Sequence, residues 1–166
     1  RRIGLVTGAN RGIGLAICRQ LASNGVTVLL GARDAAAGEQ AAAALRAEGL
    51  DIQSIRIDTA DPQSFESARD FLAHKFGHLD ILVNNIGMGF DWGHTAADVP
   101  MRLLRETFEI NFFSLVDLTQ RLLPLIRLSH AGRIVNHSSA IGSLARRADQ
   151  AAWSEGDWPL AYSASK

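Results

Sequence analysis

The residues best suited to chemistry are Tyr162 and Lys166, which stand four positions apart. On a helix they would share one face, and a nearby ammonium stabilises a phenolate, which suits proton exchange with an alcohol or a ketone. Other polar candidates are Asn111 and the adjacent Ser138 and Ser139. Each alone has an ordinary explanation, because Tyr–Lys pairs are common on helices, serines often form turns, and an asparagine can bond within its helix. Only their combination indicates a site.

A glycine-rich segment, residues 7–14, lies where a predicted strand passes into a predicted helix. Gly8 permits a tight turn, Gly12 lets the backbone approach a diphosphate, and Gly14 lets the helix pack closely on a sheet. The free amide groups at the start of the helix would stabilise phosphate charge. Such a turn can also serve packing alone, but its strand–loop–helix context favours nucleotide binding.

Short apolar runs alternate with helical patterns along the chain, which is the order that produces a parallel sheet covered by helices. The predicted strands are 3–7, 26–30, 52–57, 81–83 and 133–136. The predicted helices are 12–23, 35–48 capped by Asp34, 62–76 capped by Asp61, and 100–128, whereas 143–159 reads as a loop. The sequence therefore predicts an α/β class protein with a doubly wound parallel sheet, a Rossmann fold, as a single dinucleotide-binding domain over 1–166.

Composition limits the functions that need consideration. Lys+Arg and Asp+Glu are both 17, so the formal net charge is zero and gives no reason to expect a nucleic-acid or membrane partner. No apolar run approaches the roughly 20 residues of a membrane span. The single cysteine, Cys18, excludes an internal disulfide and is expected to be buried. The histidines lack metal-site spacing, so no metal is expected, and the cytoplasm is the expected location.

Together, these motifs resemble the short-chain dehydrogenase/reductase family. The resemblance covers the whole chain and rests on residues 7–14, Asn84-Asn85-Ile86-Gly87, Asn111, Ser138-Ser139 and Tyr162-x-x-x-Lys166. It implies an oxidoreductase that transfers hydride between a nicotinamide cofactor and a ketone, an aldehyde or a secondary alcohol. The 23 positions from Ser139 to Tyr162 and the run 30–34 are similar to the NADPH-dependent carbonyl reductase branch. Ile86 departs from the alanine that is usual at this position of the family.

The resemblance also implies roles for four catalytic residues. Tyr162 would donate the proton in reduction, and Lys166 would bond the nicotinamide ribose. Ser139 would hydrogen-bond the substrate oxygen, with Ser138 as the alternative. Asn111 would hold a water that links the lysine to bulk solvent.

A larger set of residues is implied for the cofactor. Asp58 would lie against the adenine unless it is only a turn residue at the end of its strand, and Asn84 would line the cofactor cleft. The full set of predicted cofactor-binding residues is Gly8, Asn10, Arg11, Gly12, Ile13, Gly14, Arg33, Asp58, Asn85, Gly87, Tyr162 and Lys166.

The second predicted strand bears on the choice of cofactor. An NAD site normally places a carboxylate about 20 residues beyond the glycines, where it binds the ribose hydroxyls. Ala32 occupies that position here, and Arg33 follows it. Together with Arg11, Arg33 could bind a 2′-phosphate through charge-assisted hydrogen bonds. Asp34 could reach the ribose after a shift of one residue, but it is expected to cap a helix, so NADP(H) is favoured over NAD(H).

Three other functions compete with carbonyl reduction. The protein could be a non-catalytic NADPH-binding module or an inactive fragment of such an enzyme, because relatives continue beyond Lys166 through further strands and a substrate loop. We therefore expect 1–166 alone to be inactive or weakly active. A sugar-nucleotide epimerase is disfavoured by the glycine spacing. A Ser–His hydrolase that uses His137 is disfavoured, because no Gly-x-Ser-x-Gly elbow surrounds the serines of this sequence.

Trp153 and Trp158 could contact a hydrophobic ketone or cover the core.

Overall fold

The computed structural model describes residues 1–148 and 158–166, and it contains a five-stranded parallel sheet. The strands are β1 (Ile3–Val6), β2 (Thr27–Ala32), β3 (Ile52–Arg56), β4 (Ile81–Asn84) and β5 (Arg133–Asn136). They lie in the order β3-β2-β1-β4-β5, so the chain winds from β1 to one edge and then returns to the other side. This order confirms the predicted doubly wound α/β fold.

Seven α-helices connect or follow these strands among the described residues. They are α1 (Gly12–Ser23), α2 (Ala35–Ala47), α3 (Pro62–Phe76), α4 (Met101–Phe108), α5 (Ser114–Arg127), α6 (Leu144–Ala148) and α7 (Leu160–Ser165). A π-helical turn, Glu109–Phe113, separates α4 from α5, and a 3₁₀ turn, Ala140–Gly142, follows β5. None of the helices in the described ranges is both long enough and apolar enough to cross a membrane.

The chain divides into two compact units. The sheet unit comprises residues 1–85 and 117–137, and the helical unit comprises residues 86–116 and 138–166. The sheet unit holds all five strands and the glycine-rich segment. The helical unit holds Asn111, Tyr162 and Lys166.

The predicted helix signals act where the sequence places them. Asp34 accepts a hydrogen bond from the backbone nitrogen of Ala37 at 3.0 Å, and Asp61 accepts one from Gln63 at 3.2 Å. Gly25 and Gly49 follow α1 and α2 with φ of 78° and 82°. Because a side chain strains this left-handed backbone, glycine ends both helices at low cost.

The core of the sheet unit consists of the inner strands and the helix faces that cover them. Every residue of β1 and β2 is buried, as expected for parallel strands with helices on both faces. Cys18 on α1 is also fully buried, as predicted, and burial raises the pKa of its thiol to about 12. A thiol that stays protonated at neutral pH is a packing group and not a nucleophile.

The long helix predicted over 100–128 is present, but apolar periodicity, which assigns Leu104, Phe108, Leu115, Leu122 and Ile126 to its buried side, is wrong in its first half. Leu104, Phe108 and Leu115 are only half-buried. The face that turns inward carries polar residues as well, and its buried members are Leu103, Thr107, Asn111, Ser114, Leu118, Leu122, Leu125 and Ile126. A search for apolar periodicity misses such a face, because three of its positions are polar.

The loop predicted over 143–159 is also wrong in part. Residues 144–148 form α6, whose residues Leu144 to Ala148 are mostly good helix formers. The hydroxyl of Ser143 accepts a hydrogen bond from the nitrogen of Arg146 at 3.3 Å, which caps the first turn. Residues 149–157, with Trp153 among them, lie outside the described part of the chain.

Asp80 ties three parts of the sheet unit together just before β4. Its carboxylate accepts hydrogen bonds from the nitrogen of Ile3 at 2.6 Å and from the hydroxyl of Ser129 at 2.5 Å, and His78 lies 3.2 Å away. Burial alone would raise the pKa of Asp80, but the bonds from Ser129, Ile3 and His78 outweigh it and hold that pKa below the ordinary range.

We expect Asp80→Asn to lower the free energy of unfolding by about 1–3 kcal/mol at neutral pH, because an amide group would face two hydrogen-bond donors. A carboxylate whose pKa is depressed on folding stabilises the protein above its unfolded pKa, and that contribution is lost as the pH falls through the folded pKa. The difference between the variant and the wild type should therefore narrow below about pH 4. Urea unfolding at a series of pH values measures both effects.

The matched control is Asp70→Asn. Asp70 is exposed and pairs with the adjacent Arg69, so its removal should change stability by less than about 0.5 kcal/mol. Equal losses of unfolding free energy in the two variants would show that the contacts of Asp80 stabilise the fold no more than an exposed ion pair does.

Candidate cofactor and catalytic sites

The glycine-rich segment is held at the ends of three strands in the sheet unit. The nitrogen of Thr7 donates to the carbonyl of Val83 at 3.0 Å, and the nitrogen of Ala9 donates to Gly31 at 2.9 Å. Gly8 and Gly12 have φ of 60° and 57°, a conformation that favours glycine at both positions. The turn therefore has a defined shape before any ligand binds.

The two later glycines serve different purposes. A Cβ at Gly14 would lie 2.6 Å from the carbonyl oxygen of Gly8 and 2.8 Å from the Cα of Ala9, so a side chain there would collide with the backbone. A Cβ at Gly12 would meet nothing within 4 Å. The close approach at Gly14 is the packing predicted for it, whereas the open space at Gly12 leaves room for a diphosphate, whose approach stays a prediction.

The start of α1 fits an anion. Arg11 occupies the N-cap position without making a side-chain capping bond, and no acidic residue lies in the first turn. The first amide groups of a helix have no acceptor inside it and point toward whatever lies before it. Arg11, Gly12 and Ile13 are all exposed, which leaves these amides accessible to a diphosphate.

Asn85 fixes this loop through its side chain. Its carboxamide nitrogen donates to the carbonyls of Thr7 and Gly8 at 3.0 and 3.1 Å, and its oxygen lies 2.9 Å from Nδ1 of His137. Asn84 is buried and instead bonds the side chains of Asn136 and Thr119. The two neighbouring asparagines therefore make different contacts, one with the glycine-rich loop and one within the sheet unit's core.

Of the residues predicted to choose the cofactor, Arg33 and Asp34 directly follow β2, and Arg11 is the N-cap residue of α1. Arg11 and Arg33 are exposed, and within the described ranges neither guanidinium has a hydrogen bond or an ion pair. Asp34 serves as the cap of α2, as the sequence predicts. The carboxylate of Asp58 pairs with Arg56 at 2.7 Å and accepts from the nitrogen of Ala60 at 3.1 Å. It is thus fixed at the end of β3.

In the helical unit, Asn111 lies inside the π-helical turn and is buried. Its carboxamide bonds both backbone groups of Met88, with its oxygen accepting from the nitrogen and its nitrogen donating to the carbonyl, each at 2.8 Å. The same nitrogen donates to the hydroxyl of Ser165 at 2.8 Å. Asn111 therefore joins the segment after β4 to α7, the helix that carries Tyr162.

Lys166 and Tyr162 lie together in the helical unit. The ammonium of Lys166 is 6.0 Å from the centre of the Tyr162 ring and 3.4 Å from the carbonyl oxygen of Ile86. Burial lowers the pKa of Lys166. A Cβ at Gly87 would lie 2.6 Å from that ammonium, so glycine at 87 leaves the space that the lysine occupies.

The two candidate serines make different bonds. The hydroxyl of Ser138 donates to the carbonyl of Lys166 at 2.6 Å. The oxygen of Ser139 accepts from the nitrogen of Ile141 at 3.3 Å and caps the 3₁₀ turn. Within the described ranges the hydroxyl hydrogen of Ser139 has no acceptor, so it remains available to another oxygen.

Sequence reasoning missed two residues that contact Tyr162. Asp91 is completely buried and accepts hydrogen bonds from the backbone nitrogens of Ala161 and Tyr162. The ring centre of Trp92 lies 5.7 Å from that of Tyr162. Both precede α4 in a segment without periodicity, and no motif singles them out.

Known proteins resemble this chain along most of its length. The model of the short chain dehydrogenase family matches residues 2–166. The (+)-neomenthol dehydrogenase of Arabidopsis thaliana is 40% identical over 165 residues, covering 86% of this chain and 55% of the relative. Carbonyl reductase [NADPH] 1 of Mus musculus is 43% identical over 143 residues, covering 85% and 50%. The chain thus spans about half the length of these curated relatives.

Solved structures with the same fold include an NADP complex. The Pseudomonas aeruginosa RhlG/NADP active-site complex has a TM-score of 0.83 at 33% identity and is matched over 99% of this chain and 61% of its own. Salutaridine reductase from Papaver somniferum has a TM-score of 0.83 at 30% identity, over 100% of this chain and 78% of its own.

We expect Asn111→Asp to lower the free energy of unfolding by at least about 1–3 kcal/mol, because a buried carboxylate would replace the amide that donates to Met88 and Ser165. Burial with the nitrogen of Met88 as its main donor raises the pKa of a carboxyl at 111 on folding, so the loss should grow as the pH rises above about 4. Urea unfolding of both proteins at acidic and neutral pH measures this loss.

Asn24→Asp is the control with the same chemical change. Asn24 is exposed at the C-cap of α1 and its carboxamide donates to the carbonyl of Gln20, so we expect a change below about 1 kcal/mol. If Asn111→Asp were equally mild, the carboxamide would not be what joins Met88 to α7.

Proposed function

This chain belongs to the short-chain dehydrogenase family, and we propose that it transfers hydride from NADPH to a ketone or an aldehyde, or catalyses the reverse oxidation of an alcohol. The observation that carries the proposal is the cluster in the helical unit, where the half-buried Lys166 ammonium lies against Tyr162. In such a pair the tyrosine can supply the proton that carbonyl reduction requires, and the ammonium stabilises the phenolate that remains.

The residues of the sheet unit fit a dinucleotide. The diphosphate would be held by the amides that begin α1, with Gly8, Asn10, Gly12, Ile13 and Gly14 forming the turn around it. The open space at Gly12 and the lack of a side-chain cap on α1 support this assignment. NADPH, when bound, supplies the hydride. Asp58, Asn85 and Gly87 complete the proposed cofactor set, with Tyr162 and Lys166 on the nicotinamide ribose.

The preference for NADPH rests on Arg11 and Arg33. Their guanidinium groups are exposed and have no partner in the described ranges, so both can pair with a 2′-phosphate. Ala32 offers no carboxylate to a ribose hydroxyl, and Asp34 already caps α2. Two related proteins, named for NADPH and solved with NADP, support the same preference.

Tyr162 is the proposed proton donor to the substrate oxygen. Burial lowers the pKa of Lys166, which makes its ammonium a better proton source beside the phenol. Ser139 is the proposed hydrogen-bond donor to the same oxygen. Among the described residues its hydroxyl has no acceptor, whereas the hydroxyl of Ser138 donates to the carbonyl of Lys166, and this difference supports Ser139 over Ser138. Asn111 is the fourth proposed catalytic residue, with the water that links Lys166 to solvent.

A second candidate function is the binding of NADPH without turnover of a substrate. In that case residues 1–166 form a cofactor-binding module, or an inactive part of a reductase. Binding and turnover therefore need separate measurements.

We expect the chain to bind NADPH more tightly than NADH in a titration that follows cofactor fluorescence. Arg11→Ala and Arg33→Ala should each weaken NADPH binding by about tenfold or more and leave NADH binding nearly unchanged, because hydrogen bonds between charged groups contribute about 1.5–3 kcal/mol each. The control is Arg69→Ala, whose guanidinium pairs with Asp70. Equal affinity of the wild type for both cofactors would refute the phosphate assignment.

We expect Tyr162→Phe to lower kcat by about 100-fold or more while NADPH binding is kept, because only the proton donor is removed. NADPH consumption can be followed with menthone, the ketone named for a Mentha piperita reductase of similar fold, and with an aromatic aldehyde. Tight NADPH binding by a wild-type chain that consumes neither carbonyl would support the binding module. Unchanged turnover in Tyr162→Phe would remove Tyr162 from the mechanism.

A further inference from the structure

Asp91 is a fully buried carboxylate in the irregular segment between β4 and α4. Removing a carboxylate from water is costly unless hydrogen bonds replace the lost hydration. Oδ2 of Asp91 accepts from the nitrogen of Ala161 at 2.5 Å, and Oδ1 lies 3.4 Å from the nitrogen of Tyr162. The side chain is therefore bonded to the backbone that carries the proposed proton donor.

The two amides that Asp91 accepts from belong to the first turn of α7. Amide groups in a first turn have no acceptor inside their own helix. Pro159 precedes α7, and no side-chain capping bond is made there. Asp91 thus satisfies these amides from a distant part of the sequence, and its negative charge lies at the positive end of the helix.

The neighbours of Asp91 contact the side chain of Tyr162. The indole of Trp92 lies 5.7 Å from the Tyr162 ring between centres, with the two planes tilted by 38°. On the other side of Asp91, a Cβ at Gly89 would come within 3.1 Å of Cδ2 of Tyr162. One short segment therefore contacts both the backbone and the ring of Tyr162.

The start of the same segment reaches Lys166. The carbonyl of Ile86 lies 3.4 Å from the lysine ammonium, and Gly87 leaves the space for it. Asn111 anchors the intervening Met88 through both of its backbone groups. Asp91 is the contact that joins the far end of this segment to the start of α7.

We propose that Asp91 is a positioning residue, which holds residues 88–92 against the first turn of α7 and so sets the direction of the Tyr162 hydroxyl for proton transfer. The catalytic part of this inference rests on the proposed carbonyl reduction. The geometric part does not, and it can be measured without turnover.

Tyr162 is the only tyrosine in the chain, so labelling with fluorotyrosine gives one fluorine NMR resonance that reports its surroundings. We expect Asp91→Ala to shift and broaden this resonance. Asp91→Asn keeps one accepting oxygen and loses the other, so we expect a smaller shift in the same direction. An unchanged resonance in Asp91→Ala would overturn the proposal.

The matched controls are Asp98→Ala and Asp98→Asn. Asp98 also lies between β4 and α4, but it is exposed, and among the described residues its carboxylate accepts only from the nitrogen and hydroxyl of Thr95. Neither control should move the Tyr162 resonance. If Asp91→Ala fails to unfold cooperatively, Asp91→Asn decides: no shift beyond that of Asp98→Asn would overturn the proposal.

Steady-state kinetics with NADPH and menthone test the catalytic part. We expect Asp91→Ala to lower kcat by about 100-fold while KM for NADPH changes little, because a displaced donor loses its alignment but the cofactor site is intact. Asp91→Asn should recover part of the rate. A shifted resonance with wild-type kcat would overturn the positioning role. A wild type without turnover would instead favour the binding module or the inactive part of a reductase, and the Tyr162 resonance alone would then decide the geometric part of the proposal.

Discussion

The carboxamide of Asn85 joins two loops that follow different strands of the sheet unit. Its nitrogen bonds the carbonyls of Thr7 and Gly8, and its oxygen lies next to the imidazole of His137. Glycines allow the turn to adopt its left-handed backbone conformations, but glycine also loses more conformational entropy on folding than any other residue. Asn85 offsets that cost by fixing the two carbonyls that shape the turn. The Gly14 packing and the open amides of α1 depend on the same placement.

Asn111 plays an equivalent part in the helical unit. It satisfies both backbone groups of Met88, just as Asn85 satisfies two carbonyls of the glycine turn. Both side chains replace the secondary-structure bonds that irregular backbone lacks, and a buried backbone group without such a partner would destabilise the fold. The π-helical turn contributes here, since such turns interrupt the regular α-helical register at Asn111. Polar pairing, and not apolar packing alone, therefore holds the segments that carry the proposed chemistry.

The features that the sequence could predict are local ones. The doubly wound parallel sheet follows from the alternation of strand and helix patterns, and Asp34 and Asp61 act within a few residues of their own positions. The features it could not predict depend on distant partners. Asp91 has the same side chain as a surface aspartate, and only the fold brings Ala161 to it. The buried face of the helix predicted over 100–128 is wrong in its first half for a related reason, since Thr107 and Asn111 are buried although they are polar. The assignment of the candidate site residues rests on combined motifs, and it stays a prediction.

Gly87 and Lys166 show why several motifs together carry more information than each one alone. A glycine in an irregular segment has many ordinary explanations, and so does a lysine on a helix. In the helical unit a Cβ at 87 would lie 2.6 Å from the lysine ammonium, so a side chain there would require the lysine to move. The lysine in turn lies beside Tyr162, whose backbone Asp91 holds. A substitution at one of these positions therefore alters the surroundings of the others, and a sequence that keeps all of them retains one connected arrangement of polar groups.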